Sequence, residues 1–391
     1  YLLDGADGRT LAVESRMNPQ AQYGADVIMR ANYALEHGTE ALSMCVRKAV
    51  NEMLGSLAED AGIRREDVFQ VCVVGNTCMH HLFLGISPAS LVHAPYTPAV
   101  SERLVLNAGD YGLAVQERAE LIMLSDIAGY VGADTCGCLL AIRQDQQEEI
   151  SLMIDIGTNG EMVLGNRERM VTCSTAAGPA FEGAKIECGM RGAAGAVDHV
   201  KYEDGKWNYT TVGNKPAVGL CGSGLIDLVA GLLDAGMLDE NGVLRSGQEK
   251  QGVFILVPPE RGGNERGVYL TQKDLGEVQF AKAAIAAGIQ MLMERLGITE
   301  DDICSVYIAG AFGNYMDPVS AGKIGLLPAT LVKKVKPVGN AAGEGAKIAL
   351  VNEKEMLEMD ELVRKIEFVE LAASADFQDH FIDELGFETG E

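Results

Sequence analysis

One stretch of this chain occurs twice. Residues 59–75 realign without a gap on residues 294–310, at a constant offset equal to the 235 residues that separate Gly75 from Gly310. Gly62-Ile63 falls on Gly297-Ile298, Glu66-Asp67 on Asp301-Asp302, Val68 on Ile303, Val71 on Val306 and Gly75 on Gly310. Each copy reads as helix, Gly-Ile turn, acidic pair, strand, glycine. Upstream of the turns, Leu42, Val46, Ala49, Val50, Met53, Leu54 and Leu57 in one copy, and Leu275, Val278, Ile285, Ile289 and Leu292 in the other, recur at helical spacing. Both helices are therefore expected to bury one face against a sheet. Internal self-similarity of this kind constrains the whole architecture: the chain should fold as two like α/β halves.

The runs Val71-Cys-Val-Val74 and Val306-Tyr-Ile-Ala309 are continuously apolar and end at glycine, as expected of strands covered on both faces. The start of the chain extends the parallel. Tyr1-Leu2-Leu3, a polar turn and Leu11-Ala-Val13 match Met162-Val163-Leu164, a polar turn and Met170-Val171-Thr172 as meander strands. The later meander is preceded by a further strand and turn, whereas nothing precedes Tyr1. The expectation is a fragment that begins just after the first half's own turn, with boundaries at 1–150 and 151–391.

Length and composition agree with two halves. A chain of 391 residues, 47% of them hydrophobic, can bury a large core and divide into domains. It contains no apolar run of about 18 residues and no recognisable signal peptide, so a cytoplasmic protein is expected. The formal charge of −24 argues against nucleic acid and anionic membrane surfaces, which attract clustered Lys and Arg. Nine cysteines scattered through apolar stretches argue for a reducing compartment and against a disulfide framework. Cys136-Gly-Cys138 lacks a second ligand pair, and Cys78-Met-His-His81 lacks a companion ligand; buried thiols and core histidines are the simpler readings.

The segment Asp155-Ile-Gly-Thr-Asn-Gly-Glu161 follows the strand-like run Leu152-Met-Ile154. Gly157-Thr158 should turn the backbone, and Asn159-Gly160 permits the positive φ of a tight hairpin. Such a turn aims N–H groups at one point, where phosphate oxygens bind with help from the Thr158 hydroxyl. The Asp155 carboxylate could hold a hydrated Mg²⁺ there. The competing reading is a plain hairpin with a capping Asp. Ile308-Ala-Gly-Ala-Phe-Gly313 supplies a second glycine turn at a strand end, where a base and ribose could approach the backbone. Gly339-Asn-Ala-Ala-Gly-Glu-Gly345 opens a late helix, and its first-half counterpart is Ser125-Asp-Ile-Ala-Gly129. These elements would face one crevice, where α/β sheets place ligands; helix–sheet packing is the alternative for the glycines. No P-loop or complete dinucleotide fingerprint is present. Gly222-Ser223-Gly224, opening an apolar helix, could present its N-terminus to an anion or simply pack.

Together, the Asp155 turn, residues 308–313 and the duplicated halves resemble the phosphate and adenosine motifs of the superfamily of acetate and sugar kinases, heat-shock chaperones and actin. Asn18-Pro-Gln with Gly24-Ala-Asp26, Val74-Gly-Asn-Thr77, Ala177-Gly-Pro-Ala-Phe-Glu-Gly183, Gly189-Met190 and Leu220-Cys-Gly-Ser-Gly-Leu225 narrow the resemblance to the reductive activators of corrinoid proteins. It covers nearly the whole chain. It implies two tandem ribonuclease H-like lobes, an actin-like ATPase fold, with ATP or ADP and Mg in an interlobe cleft. It further implies ATP-dependent return of a Co(II) corrinoid to Co(I) for methyl transfer. Asp155 becomes the Mg-phosphate carboxylate, acting through water, and Gly157, Thr158, Asn159, Gly160 and Glu161 the phosphate turn. Gly310, Ala311, Phe312 and Gly313 come to lie beside adenosine. Asp126 as water-positioning group, Asn76 and Thr77 as cleft contacts, and Glu182 on the phosphate side are further expectations. The family carries an upstream [2Fe-2S] ferredoxin-type domain through which electrons enter, and neither its cysteines nor the first Asp-x-Gly-Thr turn occurs here. The expected partner is a corrinoid protein, with a homodimer left open. Other readings are a small-molecule kinase with Asp126 as base, a noncatalytic ATP-gated module, and an activator of 2-hydroxyacyl-CoA dehydratases, for which only Cys136 and Cys138 could bridge a [4Fe-4S] cluster.

Overall fold

The computed structural model describes residues 1–245, 252–372 and 374–387, with Ala311 and Phe312 described in backbone only. Contacts divide the chain into two compact units, one of residues 1–147, 167–170 and 340–368, the other of residues 148–166, 171–339 and the chain from Val369 onward.

In chain order the first unit has strands β1 (Leu2–Leu3) and β2 (Thr10–Ala12), helices α1 (Val27–His37) and α2 (Glu40–Ala61), strand β3 (Gln70–Val73), helices α3 (Thr77–Leu84) and α4 (Ala89–Val92), strands β4 (Leu104–Asn107) and β5 (Glu120–Met123), and helix α5 (Ala133–Ile142). There follow β6 (Ile150–Ile156), β7 (Gly160–Gly165), β8 (Met170–Thr175), β9 (Ala196–Glu203), β10 (Lys206–Thr211), β11 (Gly219–Leu220), α6 (Gly222–Asp234), β12 (Val253–Val257), β13 (Val268–Thr271) and α7 (Gln272–Leu296). The second unit continues with β14 (Ile303–Ala309), the short helices α8 (Gly310–Gly313) and α9 (Pro318–Lys323), and β15 (Val335–Gly339). Helices α10 (Ala341–Val351) and α11 (Glu353–Val363) and strand β16 (Glu367–Phe368) return to the first unit, and α12 (Ala375–Asp383) ends in the second.

The repeat read from sequence is present down to single hydrogen bonds. Helices α2 and α7 both stop at a left-handed glycine, Gly62 at φ 68° and Gly297 at φ 69°. In each, the isoleucine after that glycine donates its N–H to a carbonyl five residues back, Ile63 to Ala58 (3.0 Å) and Ile298 to Met293 (3.1 Å), which closes a Schellman turn. Asp67 then accepts from the backbone N–H of Arg64 (3.0 Å) as Asp302 does from Thr299 (2.9 Å). The second acid of each pair thus caps the 3₁₀ turn that leads into β3 or β14.

Each repeated strand joins a parallel neighbour. In the first unit β3 pairs in parallel with β5, which pairs antiparallel with β4. In the second the strands run in the order β15-β14-β6-β7-β8, with β14 parallel to both β15 and β6. Burial differs between the copies. Strand β14 is largely buried, whereas every residue of β3 is only half-buried, because β3 lies at the edge of its sheet. In α7 all five apolar positions singled out in the sequence are buried, within a core shared with Ile154, Met162 and Leu164 of the sheet. A largely polar hairpin forms from β9 and β10, with Trp207 half-buried against Tyr202 and Phe254 at 4.9 Å each.

Two glycine assignments change. Neither Asn159 nor Gly160 adopts a positive φ. Gly160 is the first residue of β7, where a Cβ would lie 2.9 Å from Thr175 Oγ1 and 3.1 Å from Ile285 Cγ1, so close packing of α7 on the sheet requires it. Gly345 serves helix–helix rather than helix–sheet packing. A Cβ there would lie 1.8 Å from the carbonyl oxygen of Gly137, so α10 crosses α5 at backbone contact, and two glycines permit it. Among the described residues no helix is long and apolar enough to cross a membrane.

Candidate functional site

Asp155 and Gly310 meet at one end of the parallel sheet. Register pairs Asp155 of β6 with Ala309 of β14, and Gly310 follows at φ +86°, a left-handed conformation that glycine adopts without strain. A Cβ on Gly310 would stand 3.0 Å from Asp155 Oδ1, so the glycine lets backbone and carboxylate approach. Across the hairpin, the Thr158 hydroxyl donates to Glu182 Oε2 (2.8 Å), and a Cβ on Gly157 would lie 3.8 Å from Glu182 Oε1. Glu182 comes from a 3₁₀ turn (Ala180–Glu182) after β8. Asp155, Gly157, Thr158, Glu182 and Gly310 therefore gather around the carboxyl ends of two parallel strands, the position where open α/β sheets bind ligands.

The electrostatics of this corner favour a cation. Burial first, and then the negative charge of Glu182, push the Asp155 carboxyl up to about 6. Glu161 lies inside the β7 ladder opposite Asp155, and it accepts from the Ser174 hydroxyl (3.3 Å), so its role is in the sheet. Among the described residues no group of three or more His, Cys, Asp or Glu gathers at metal-binding spacing. The Cys78-to-His81 and Cys136/Cys138 metal readings accordingly receive no support. Cys136 and Cys138 are buried in α5, and burial holds the Cys136 thiol well above its ordinary range. His81 accepts from the Ala99 N–H through Nε2 (2.9 Å), while Nδ1 meets the Thr77 carbonyl oxygen at 2.7 Å.

The residues expected in the first unit hold partners within the fold. Asp126 is fully buried; Oδ2 lies 2.7 Å from His80 Nδ1 and Oδ1 accepts from the Ala133 N–H (2.9 Å) at the head of α5. Both oxygens are thus engaged, one by the His80 ring and one at the head of α5. The repeat explains the seat: Asn340, its counterpart, caps α10 by accepting from the Gly343 N–H (3.0 Å). Asn76 caps α3 through the Met79 N–H (2.9 Å), and the Thr77 hydroxyl donates to the Ala128 carbonyl (2.6 Å).

Gly222, Ser223 and Gly224 are also buried. The Ser223 hydroxyl donates to the Asp198 carbonyl (2.8 Å), and a Cβ on Gly224 would lie 2.2 Å from the Val197 oxygen. Packing of α6 on β9 is what these residues serve. Gly313 likewise packs on Ile308, at 2.6 Å from a Cβ position. The side chains of Ala311 and Phe312 lie outside the described residues.

A feature missed from sequence lies just beyond α8. A groove of about 590 Å³ runs between α6, β9 and the segment 314–323, lined among others by Asp227, Asp234, Asn314, Tyr315 and Lys323. Asp227 is buried: its Oδ2 takes the Val200 N–H and His199 Nδ1, both at 3.2 Å, while its Oδ1 has no hydrogen-bond partner. The nearby Ser320 hydroxyl donates to Asp317 Oδ2 (3.2 Å). Burial holds the Asp227 carboxyl above its ordinary range, against the lowering effect of Ser320, Val200 and His199. Asp227 was legible in principle, because it is the one charged residue in the apolar run 225–233.

Residues 1–147 match the family model described as the RACo middle region, and residues 149–391 match the C-terminal domain of RACo, the ASKHA domain. A relative from Eubacterium limosum, "Corrinoid activation enzyme RamQ", is 35% identical over 98% of this chain and 67% of its own length. A second, from Methanosarcina barkeri, named "[Co(II) methylated amine-specific corrinoid protein] reductase", is 27% identical over 94% of this chain and 71% of its length. The solved structure of a "Reductive activator for corrinoid,iron-sulfur protein" superposes with a TM-score of 0.89 and 37% identity over 98% of this chain, which spans 63% of that structure's chain. With both matched regions present in order and the ATPase-type second unit in place, the chain belongs to the RACo family of reductive activators of corrinoid proteins.

Proposed function

We propose that this chain is the nucleotide-binding module of an ATP-dependent activator that returns a Co(II) corrinoid protein to Co(I). The observation that carries the reading is the Asp155–Gly310 corner at the carboxyl ends of β6 and β14, with a groove whose lining begins at Asn314, directly after α8. The residues present suit Mg-ATP. Asp155, charged against its burial, would hold the hydrated Mg²⁺; the 157–160 turn and the Thr158 hydroxyl would bind phosphate oxygens, with Glu182 holding Thr158 in place. The groove, lined in part by Asn314 and Tyr315, would take the nucleoside. ATP with Mg²⁺ supplies the hydrolytic free energy that biases the protein between two states. By binding nucleotide unequally in those states, the chain shifts the balance toward the one that lets its corrinoid partner be reduced.

The electron itself would enter through a ferredoxin-type domain outside this chain, since the described cysteines do not suit a cluster. Nine unbridged thiols support a reducing, cytoplasmic setting. The proposal is tested by nucleotide turnover with and without a Co(II) corrinoid protein: stimulation by that partner supports it. Stimulation by a sugar or carboxylic acid instead would point to a kinase.

A further inference from the structure

Lys282, in the long helix behind the Asp155 hairpin, is only 2% exposed. The last described segment of the second unit covers it. Lys282 Nζ donates to the Gly386 carbonyl, stands 3.8 Å from Glu384 Oε2 and lies 5.7 Å from the centre of the Phe387 ring. The same segment accepts from the Gln279 amide at the Leu385 carbonyl (2.9 Å) and from the Gln290 amide at Glu384 Oε1 (2.7 Å), and it sets His380 Nε2 3.0 Å from Glu294 Oε1. At about 100° per residue, positions 279, 282, 290 and 294 share one face of α7, and Ile285 and Gly288 lie on the opposite face. That opposite face meets the sheet: a Cβ on Gly160 would stand 3.1 Å from Ile285 Cγ1, and a Cβ on Gly288 would stand 2.3 Å from Met162 Cε. Helix α7 is therefore held between the segment 374–387 and the hairpin that carries Asp155.

The segment is held lightly. Helix α12 has no buried residue, and the apolar anchors are the half-buried Phe377 and Phe381 and the buried Phe387. Elements with so few buried apolar contacts open locally ahead of the core. Closing this one also takes an ammonium out of water, and opening returns its hydration, so the two states differ by less than the contacts alone suggest. We infer that residues 374–387 form a strap whose closure on α7 is coupled to nucleotide at the Asp155 turn. The closed strap presses Ile285 against Gly160, the residue that ends the turn and begins β7; bound Mg-ATP favours that closed state, and opening the strap weakens Mg-ATP by the same factor. The inference rests on the reading of the Asp155 turn as the phosphate site.

Hydrogen exchange of the whole chain, labelled for seconds to minutes with and without saturating Mg-ATP, reads the local opening. The Glu384, Leu385 and Phe387 amides, which donate to the His380, Ile382 and Glu240 carbonyls, should exchange about fivefold or more slowly with Mg-ATP bound. Phe387→Ala, which removes the buried anchor, should speed that exchange and weaken Mg-ATP by a similar factor in calorimetry. Phe387→Leu, which keeps an apolar anchor of similar size, should hold the parent affinity to within about twofold. If the parent binds Mg-ATP and those amides exchange unchanged, the coupling is overturned while the nucleotide site stands, an outcome that needs no variant to fold. Fast exchange in Phe387→Ala with the parent's affinity overturns it equally. If the parent binds no Mg-ATP, the nucleotide reading fails first and the strap's coupling with it.

Discussion

At the scale of single residues, Asp155 is the group whose behaviour departs most usefully from the ordinary. Its carboxyl titrates near 6 in the folded chain against 3.8 ordinarily, because burial and Glu182 disfavour the charge. A raised value means the folded state holds a proton that the unfolded state has lost. The associated stability is present below about pH 4 and vanishes as pH rises through 6. Asp155→Asn should therefore be more stable than the parent at pH 8, by about 1–2 kcal/mol, with the gap closing at pH 4; denaturant melts at the two pH values would measure it. The same variant should lose Mg-ATP turnover by about a hundredfold or more, and in the parent Mg-nucleotide affinity should strengthen as pH rises through 6. Thiol chemistry gives an independent check on the core. Burial raises the Cys72 and Cys78 thiols to about 12, and Cys136 and Cys173 are fully buried, whereas Cys304 is exposed. Iodoacetamide on the native protein at pH 8, read by mass spectrometry, should mark Cys304 and spare Cys136, Cys138 and Cys173.

Among the elements, the duplicated helix–turn–strand units make a symmetrical prediction. Gly62 and Gly297 both sit at left-handed C-caps, and at either one an added Cβ would have nothing within 4 Å. Gly62→Ala and Gly297→Ala should each cost about 1 kcal/mol from backbone strain alone, with little difference between them in thermal melts. The crossing of α5 and α10 should be far less tolerant. Gly345→Ala forces a methyl into the Gly137 backbone and should cost about 3 kcal/mol or more. The repeat, its caps and the strand ends were legible from sequence because they depend on local spacing and on residues with strong conformational preferences. The reasons for Gly160 and Gly345 were not legible. Each is set by a neighbour far along the chain, Thr175 and Ile285 for one and Gly137 for the other. The partners of Asp126, His80 and the Ala133 N–H, were not legible for the same reason. Asp227 escaped notice because a charge within an apolar helix carries no motif; its meaning comes from the groove beside it.

For the molecule as a whole, the family match divides the chain near residue 148, as the sequence repeat suggests, whereas the contact units return residues 340–368 to the first unit. The second unit carries the strand-end carboxylate, the glycine turn and the groove in one compact body. On the proposed function, its part of the chemistry would be to bind nucleotide and transmit which nucleotide is bound. Reduction of cobalt needs an electron donor beyond the cysteines described here, so nucleotide recognition is the activity that this chain should retain by itself. Calorimetric titration with ADP and ATP, each with and without Mg²⁺, is the most direct test of that claim. The account predicts saturable one-to-one binding that Mg²⁺ strengthens and that Asp155→Asn weakens by about tenfold or more. Affinity unchanged in that variant, or no heat of binding from folded parent protein supplied with Mg²⁺, would contradict it.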